Sequence, residues 1–332
     1  MSGMAANGAP PLVDARALTK RFSASRSLAD ILSGRSPVVH AVDAVDIAIR
    51  PGESLGLLGE SGCGKTTTGR LLLKLIEPSS GSIHFEGQSI AGLRGAALRE
   101  FRKRAQLVFQ NPFDALNPRF TIERVLAEPL VNTGADAASH PARIEAALTR
   151  VRLPGLERFR GLFPHQLSGG QLQRIVLARA LVLEPRFLVA DEPVSMLDVS
   201  VRAGVLNVMR EVRETLGLAA LYISHDLALV RYLCARTMVM YLGRIVEEGP
   251  TEQLLKSPQH PYTKALVQAV PVPRAGQSHA PLPILGAVPD ARNPPSGCRF
   301  RDRCPIAQAR CAEEDPALRE TAPGRKAACH FI

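Results

Sequence analysis

The chain's most informative run is Ser54-Leu55-Gly56-Leu57-Leu58-Gly59-Glu60-Ser61-Gly62-Cys63-Gly64-Lys65-Thr66-Thr67. Its first five residues are an apolar run of strand length, and TTTGRLLLKLI (66–76) has helical character, so a strand, a glycine-rich turn and a helix succeed one another. Gly59 to Thr66 matches G-x-x-x-x-G-K-[ST] in the setting that gives this pattern its meaning. The glycines let backbone N–H groups turn inward around a phosphate, and the helix N-terminus adds positive potential. Lys65 is expected on the β- and γ-phosphates and the Thr66 hydroxyl on Mg²⁺. Glu60, Ser61, Gly62, Cys63, Gly64 and Thr67 complete the expected nucleotide-binding loop. Cys63 stands at a variable position and needs no redox role. A chance glycine-rich turn would lack the flanking strand and helix, so the stretch points to ATP or GTP.

The same alternation returns from Arg186 to Ser224. FLVA (187–190) and AALYIS (219–224) have the length of buried strands. Between them Val201, Val205, Val208, Val212 and Leu216 recur at three- and four-residue spacing, which predicts a helix with one apolar face on the sheet. Gly217 stands where that helix would stop. Asp191 and Glu192 close the first strand, at the end where α/β sheets bind ligands. Taken alone, such a pair is more often a solvated cap or a helix start. With a phosphate loop in the same chain, Asp191 is expected to hold Mg²⁺ through its water shell and Glu192 to take a proton from the attacking water.

Between the two tracts, residues 97–183 read as a mostly helical insertion with a proline-rich interruption at Asn111–Arg119. Residues 1–12 are small, contain proline and are expected to fray. Seven prolines (Pro271, Pro273, Pro281, Pro283, Pro289, Pro294 and Pro295) fall within 25 residues and predict an extended connector, followed by a small tail to residue 332 with no obvious core of its own. The expected organisation is therefore a main α/β domain over 13–270 and a tail domain over 271–332.

Composition narrows the classes. At 332 residues, 45% hydrophobic and 22% charged, the chain can build a real core and is neither fibrous nor disordered. No stretch has the roughly 20 apolar residues of a membrane span, and the opening MSGMAANGAPPLVDAR has no apolar signal core. A cytosolic place is expected, held elsewhere only by a partner. Six cysteines are too sparse for a disulfide scaffold, and the net charge of +10 is spread thinly with aromatics at 5%, so nothing marks a nucleic-acid surface.

Leu167-Ser168-Gly169-Gly170-Gln171, opening the run QLQRIVLARAL, forms a second anion-binding nest with no phosphate of its own in the chain. It resembles the signature sequence of ATP-binding cassette (ABC) proteins. That resemblance implies an ABC-type P-loop ATPase domain with an inserted helical subdomain, in which two cassettes sandwich two ATP molecules. Ser168, Gly169, Gly170 and Gln171 would then close on the ATP held by the opposite subunit. Gln110 in VFQNP resembles the Q-loop glutamine that senses the γ-phosphate, and the resemblance implies a place for it at Mg²⁺ beside Thr66 and Asp191. Ser195-Met196-Leu197-Asp198 resembles the D-loop, with Asp198 at the shared nucleotide, although Met196 departs from the usual Ala. His225 in YISHD resembles the switch histidine; a lone histidine after a strand is ordinarily structural, and its place after the acid pair argues otherwise. Phe22 in LTKRFSA stands about where an aromatic ring stacks on adenine, separated from the next strand by an insertion over Ser23–Val39. A P-loop kinase or GTPase would lack the signature and the Q-loop. A translation ABC protein would carry two cassettes, and a repair one long coiled coils.

Finer stretches, FQNPFDALNPR, FPHQLSGGQLQR, HPYTKAL and the tail from NPPSGCRFRDRC, resemble the ATPase subunits of dipeptide/oligopeptide importers, the second such subunit more than the first. This implies a second, different ATPase subunit, two membrane-spanning permease subunits, a periplasmic or extracellular binding protein, and a place on the cytoplasmic face of the membrane. Nickel or a modified peptide remains an alternative cargo. Cys298, Cys304, Cys311 and Cys329 are spaced C-x₅-C-x₆-C-x₁₇-C, which matches neither zinc ribbons nor ferredoxins, and leaves a metal site and plain buried thiols open. Similar tails in the importer subfamily imply a [4Fe–4S] cluster. Zinc and no metal stay open, with His330 as a substitute ligand.

Overall fold

A computed structural model describes residues 10–23, 38–269, 284–287 and 289–332. The expected fray at residues 1–9, the insertion at 24–37 and prolines 271, 273, 281 and 283 of the connector lie outside the described residues. Among the described residues the strands are β1 (Val13–Ser23), β2 (Val38–Ile49), β3 (Ser54–Leu58), β4 (Ser80–Phe85), β5 (Gln88–Ser89), β6 (Ala105–Val108), β7 (Phe187–Asp191), β8 (Ala219–Ser224), β9 (Arg236–Tyr241), β10 (Arg244–Pro250), β11 (Arg319–Ala322) and β12 (Arg325–Ala327). The chain divides into two compact mixed α/β units. One gathers Ala48–Ser54 and His84–Ile223 with the residues before Asp14; the other gathers Asp14–Ile47, Leu55–Ile83 and Ser224–Ile332.

In the first unit β6, β7 and β8 lie side by side and parallel, with Val108 opposite Ala190 and Asp191 opposite Ile223. The expected strands at FLVA and AALYIS are both present and buried throughout, as befits parallel strands covered on both faces. The helix Val199–Leu216 buries Val205, Val208, Met209 and Val212 and ends on Gly217 in the left-handed region. The segment expected to be mostly helical holds helices Gly95–Arg104, Ile122–Asn132, His140–Arg150 and Gly169–Leu181. It also holds β6, which sequence reading had not separated from its surroundings.

In the second unit β3 runs parallel to β9, Leu58 opposite Val239. β10 is antiparallel to β9, β12 to β10 and β11 to β12, so the tail adds two strands to a sheet instead of folding apart. The core the tail lacks is borrowed: Phe300 is buried with its ring 5.2 Å from Tyr241, 5.5 Å from Tyr262 and 5.6 Å from His260. Glu247, wholly buried on β10, accepts the N–H groups of Gln259 and His260, each at 2.9 Å, and Arg325 of β12 at 3.2 Å. A buried carboxylate is tolerable only with such a full set of partners. Among the described residues no helix is long and apolar enough to cross a membrane.

Candidate active site

The expected phosphate loop lies in the second unit. β3 is buried along its length and delivers the chain into Gly59–Gly64, and helix Lys65–Leu72 begins at once, with Gly64 as its N-cap at φ +108. Only glycine holds that angle without strain, and a Cβ there would collide with the Ala41 carbonyl. A Cβ at Gly59 would collide with the Met240 carbonyl. Gly62, at φ +79, meets nothing within 4 Å on the same test, so the loop is packed at both ends and open at its tip. Lys65 is buried and its Nζ donates to the carbonyls of Gly59 at 2.7 Å and Glu60 at 2.8 Å. Cys63 is buried beneath it, and burial pushes its thiol pKa up against the opposing pull of Lys65, leaving a neutral packing residue. Ser61 is exposed, while Thr66 and Thr67 on the first helical turn are half-buried.

His225 is brought to the same place. With Leu58, Gly59, Glu60, Asp226, Leu227, Leu266 and Ala269 it lines a cavity of about 300 Å³. Its neighbour Asp226 caps helix Leu227–Leu233, accepting from the N–H groups of Ala228 at 2.8 Å and Leu229 at 3.4 Å, so the residue before the cap projects from a fixed turn. Phe22 is 40% exposed near the end of β1, with Lys20 Nζ 5.1 Å from its ring centroid.

The acid pair belongs to the first unit. Asp191 ends β7, and Glu192 takes φ +44, a left-handed angle that non-glycine residues adopt only when their surroundings impose it. The Glu192 N–H donates to the Ile223 carbonyl at 2.9 Å and its carbonyl accepts the Ser195 hydroxyl at 3.0 Å. Gln110 follows β6 as Glu192 follows β7, and because the strands are parallel both side chains emerge at one sheet edge. Gln110 Nε2 donates to Glu192 Oε2 at 3.3 Å.

Ser168 caps helix Gly169–Leu181 in a capping box: its hydroxyl accepts the Gln171 N–H at 3.3 Å and its own N–H donates to Gln171 Oε1 at 3.1 Å. A Cβ at Gly170 would stand 2.5 Å from Val201, and one at Gly169 3.3 Å from Leu197, so the two glycines let this helix start press against the Ser195–Asp198 turn and the start of helix Val199–Leu216. Arg202 ties that turn down, donating to the Leu197 carbonyl at 2.9 Å. Ser168, Gly169, Gln171 and Asp198 are exposed.

The tail cysteines are neighbours. The Cys298 N–H donates to the Cys311 carbonyl at 2.8 Å, and burial pushes the Cys298 thiol up to about 11, with Cys311, Cys304 and Cys329 adding to the rise. Burial likewise raises Cys304. His330 Nε2 pairs with the Glu314 carbonyl at 3.0 Å. Among the described residues no group of three or more His, Cys, Asp or Glu side chains could hold a metal ion. The expected [4Fe–4S] cluster therefore finds no support in the arrangement of its ligands. Mg²⁺ is a different case: its expected donors, a Thr66 hydroxyl, an Asp191 carboxylate and a Gln110 amide oxygen, each suit a hard cation in their chemistry, although Thr66 lies in the second unit and the other two in the first.

Two contacts on the phosphate loop escaped sequence reading. Tyr262, inside the quoted HPYTKAL, accepts the Glu60 N–H at 2.9 Å through its hydroxyl, and Arg303 of the tail meets the Glu60 carboxylate at 2.7 and 3.1 Å. Nothing in a single sequence links positions 243 apart.

Comparison with known proteins accords with this geometry. A family model described as ABC transporter matches residues 42–195, and one described as the C-terminal region of oligopeptide/dipeptide transporters matches residues 246–311. A putative peptide import ATP-binding protein of Brucella ovis is 47% identical over 96% of this chain and 97% of its own length. An oligopeptide transport ATP-binding protein of Bacillus subtilis is 45% identical over 88% of this chain and 90% of its own. Among solved structures, a dimeric bacterial ABC transporter cassette superposes with a TM-score of 0.62 at 25% identity, covering 72% of this chain and 98% of that one. With relatives so similar over nearly their whole length, the chain belongs to the ATP-binding proteins of ABC transporters, mixed α/β P-loop ATPases, and carries the C-terminal region of the oligopeptide/dipeptide transporters.

Proposed function

We propose that this chain binds and hydrolyses ATP to drive import of di- and oligopeptides through a membrane-embedded ABC transporter. The observation that carries the cargo is the reach of the likeness: similarity to a peptide import ATP-binding protein extends over 96% of the chain, tail included.

In this reading Gly59–Thr67 takes the phosphates, and Lys65 exchanges the Gly59 and Glu60 carbonyls for the β- and γ-phosphate oxygens. Thr66, Asp191 and Gln110 serve Mg²⁺, which when bound neutralises charge on those oxygens. Glu192 accepts a proton from the attacking water; its hydrogen bond to Gln110 supports a shared task for the pair. His225 contacts the γ-phosphate, and Phe22, an exposed ring near a strand end, stacks on adenine. The exposed cap at Ser168–Gln171 takes the ATP of a second ATPase subunit beside Asp198. Met196 and Val199, 64% and 81% exposed, support an apolar face there for that subunit, which we take to be a different chain. Two permease subunits and a substrate-binding protein complete the assembly, and the permeases hold this chain at the cytoplasmic face of the membrane. The nucleotide-binding domain spans 13–270, with its helical part over 97–183, and the tail domain spans 271–332. No step runs through a metal cluster in the tail.

Gentle solubilisation of membranes and purification of the tagged chain tests the assembly. Two membrane-spanning proteins and a second ATPase are expected to accompany it; recovery alone, or with ribosomes or DNA, would sink the transport reading.

A further inference from the structure

Glu60 stands in the phosphate loop with each of its polar groups held by a different part of the second unit. Its N–H donates to Tyr262 Oη at 2.9 Å, its carbonyl accepts Lys65 Nζ at 2.8 Å, and its carboxylate takes both arms of the Arg303 guanidinium at 2.7 and 3.1 Å. Arg303 is 5% exposed and Glu60 29%, so this is a largely desolvated bidentate pair of the stronger kind, unlike a solvated surface bridge. The hydrogen bonds to Glu60 hold the Arg303 guanidinium well above its ordinary pKa, so it stays charged. The guanidinium also lies 5.7 Å from the Tyr241 ring and 6.0 Å from the Phe300 ring, within the aromatic cluster that seats the tail.

Other contacts also seat the tail: Arg325 reaches the buried Glu247 from β12, and Arg299 pairs with Asp43 and with the Leu242 carbonyl. Arg303 is the tail contact that reaches the loop itself. A glycine-rich turn loses more conformational freedom on ordering than other segments, and whatever pins it in the binding conformation removes part of that cost from the binding step. Tyr262 and Arg303 pin one of the two residues whose carbonyls Lys65 holds.

We propose that the C-terminal tail sets the phosphate loop for nucleotide: Arg303 is a positioning residue that acts through Glu60, so ATP affinity depends on how the tail is seated. This rests on the reading of Gly59–Thr67 as the ATP-phosphate loop, and the test separates the two. MgATP binding to the purified full-length chain is measured by titration calorimetry for wild type, Lys65→Ala, Arg303→Ala, Arg303→Lys, Glu60→Gln and the Arg303→Ala/Glu60→Gln double variant, with melting temperatures recorded alongside.

Arg303→Ala is expected to weaken MgATP binding about tenfold. Arg303→Lys keeps the charge but not the fork and should fall between it and wild type. The double variant should bind no more weakly than the worse single one, because both changes break one contact. Should Arg303→Ala fail to fold, Glu60→Gln reads the same contact from the loop side. Positioning predicts weaker binding there, whereas relief of repulsion between a carboxylate and the phosphates predicts tighter binding. Unchanged affinity in both single variants, additive losses in the double, or tighter binding by Glu60→Gln would overturn the proposal while leaving the loop assignment intact. Wild-type binding that Lys65→Ala does not reduce would overturn the assignment, and the proposal with it.

Discussion

His260 illustrates how a residue outside the nucleotide motifs governs stability. It is buried; its Nδ1 accepts the Tyr262 N–H at 3.1 Å, and its ring bonds the Ala328 backbone. Burial, reinforced by the charge of Lys264, lowers its pKa from 6.5 to about 3. The unfolded chain therefore binds a proton near pH 6.5 that the folded chain refuses until about pH 3. Stability from this group is full above pH 6.5 and falls by about 1 kcal/mol per pH unit below it. Urea midpoints at pH 7.5 and 5.5 should show that slope in wild type and a shallower one in His260→Asn, whose side-chain oxygen can still accept the Tyr262 N–H; equal slopes would refute it. Such residues are silent in sequence because burial, not identity, makes them act. Lys65, Asp191 and Glu192 stand out in the sequence because phosphate and metal chemistry would restrict the residue types and their order. Glu60 was read as a nucleotide-loop residue, but its tie to Arg303 depends on a tertiary meeting that no local pattern encodes.

Among the elements, strands β3, β7 and β8 were legible as apolar runs of the right length because they are buried on both faces. The helix after the phosphate loop was read through to residue 76, yet it stops at Leu72. The Leu75 N–H turns back to the Arg70 carbonyl and the Lys74 N–H to Leu71, both at 2.9 Å, a Schellman ending with Lys74 at φ +48 where glycine is usual. With lysine in that seat, the stop carries no signature. β6 was hidden for a related reason: it follows helix Gly95–Arg104 without a glycine or proline between them and is only four residues long. One packing contact between elements has a direct test. Gly170→Ala would set its Cβ 2.5 Å from Val201 and push helix Gly169–Leu181 off the first turn of helix Val199–Leu216. Overpacking of this kind costs about 1–3 kcal/mol. In thermal melts the Gly170→Ala loss should be largely restored by adding Val201→Ala, and an additive double variant would show that the close approach is not the cause.

At the scale of the whole chain, the residues proposed for the nucleotide chemistry fall in both units. Gly59–Thr67 and His225 belong to one, and Gln110, Asp191, Glu192 and the Ser168–Gln171 cap to the other. The order of motifs along the chain was legible because each is local. Their division between units was not, since the chain crosses from one unit to the other several times. The tail was legible as a separate texture but not as a continuation of β10 and β9, because β11 and β12 are short and β12, which carries β11, finds its partner about 80 residues upstream. Hydrolysis of ATP in which Glu192 takes the proton of the attacking water is tested on the assembled transporter carrying Glu192→Gln, with retained ATP and turnover measured together. ATP should be bound as in wild type, with turnover lowered by about 10²–10⁴-fold. Hydrolysis at the wild-type rate, or loss of ATP binding, would contradict that role of Glu192.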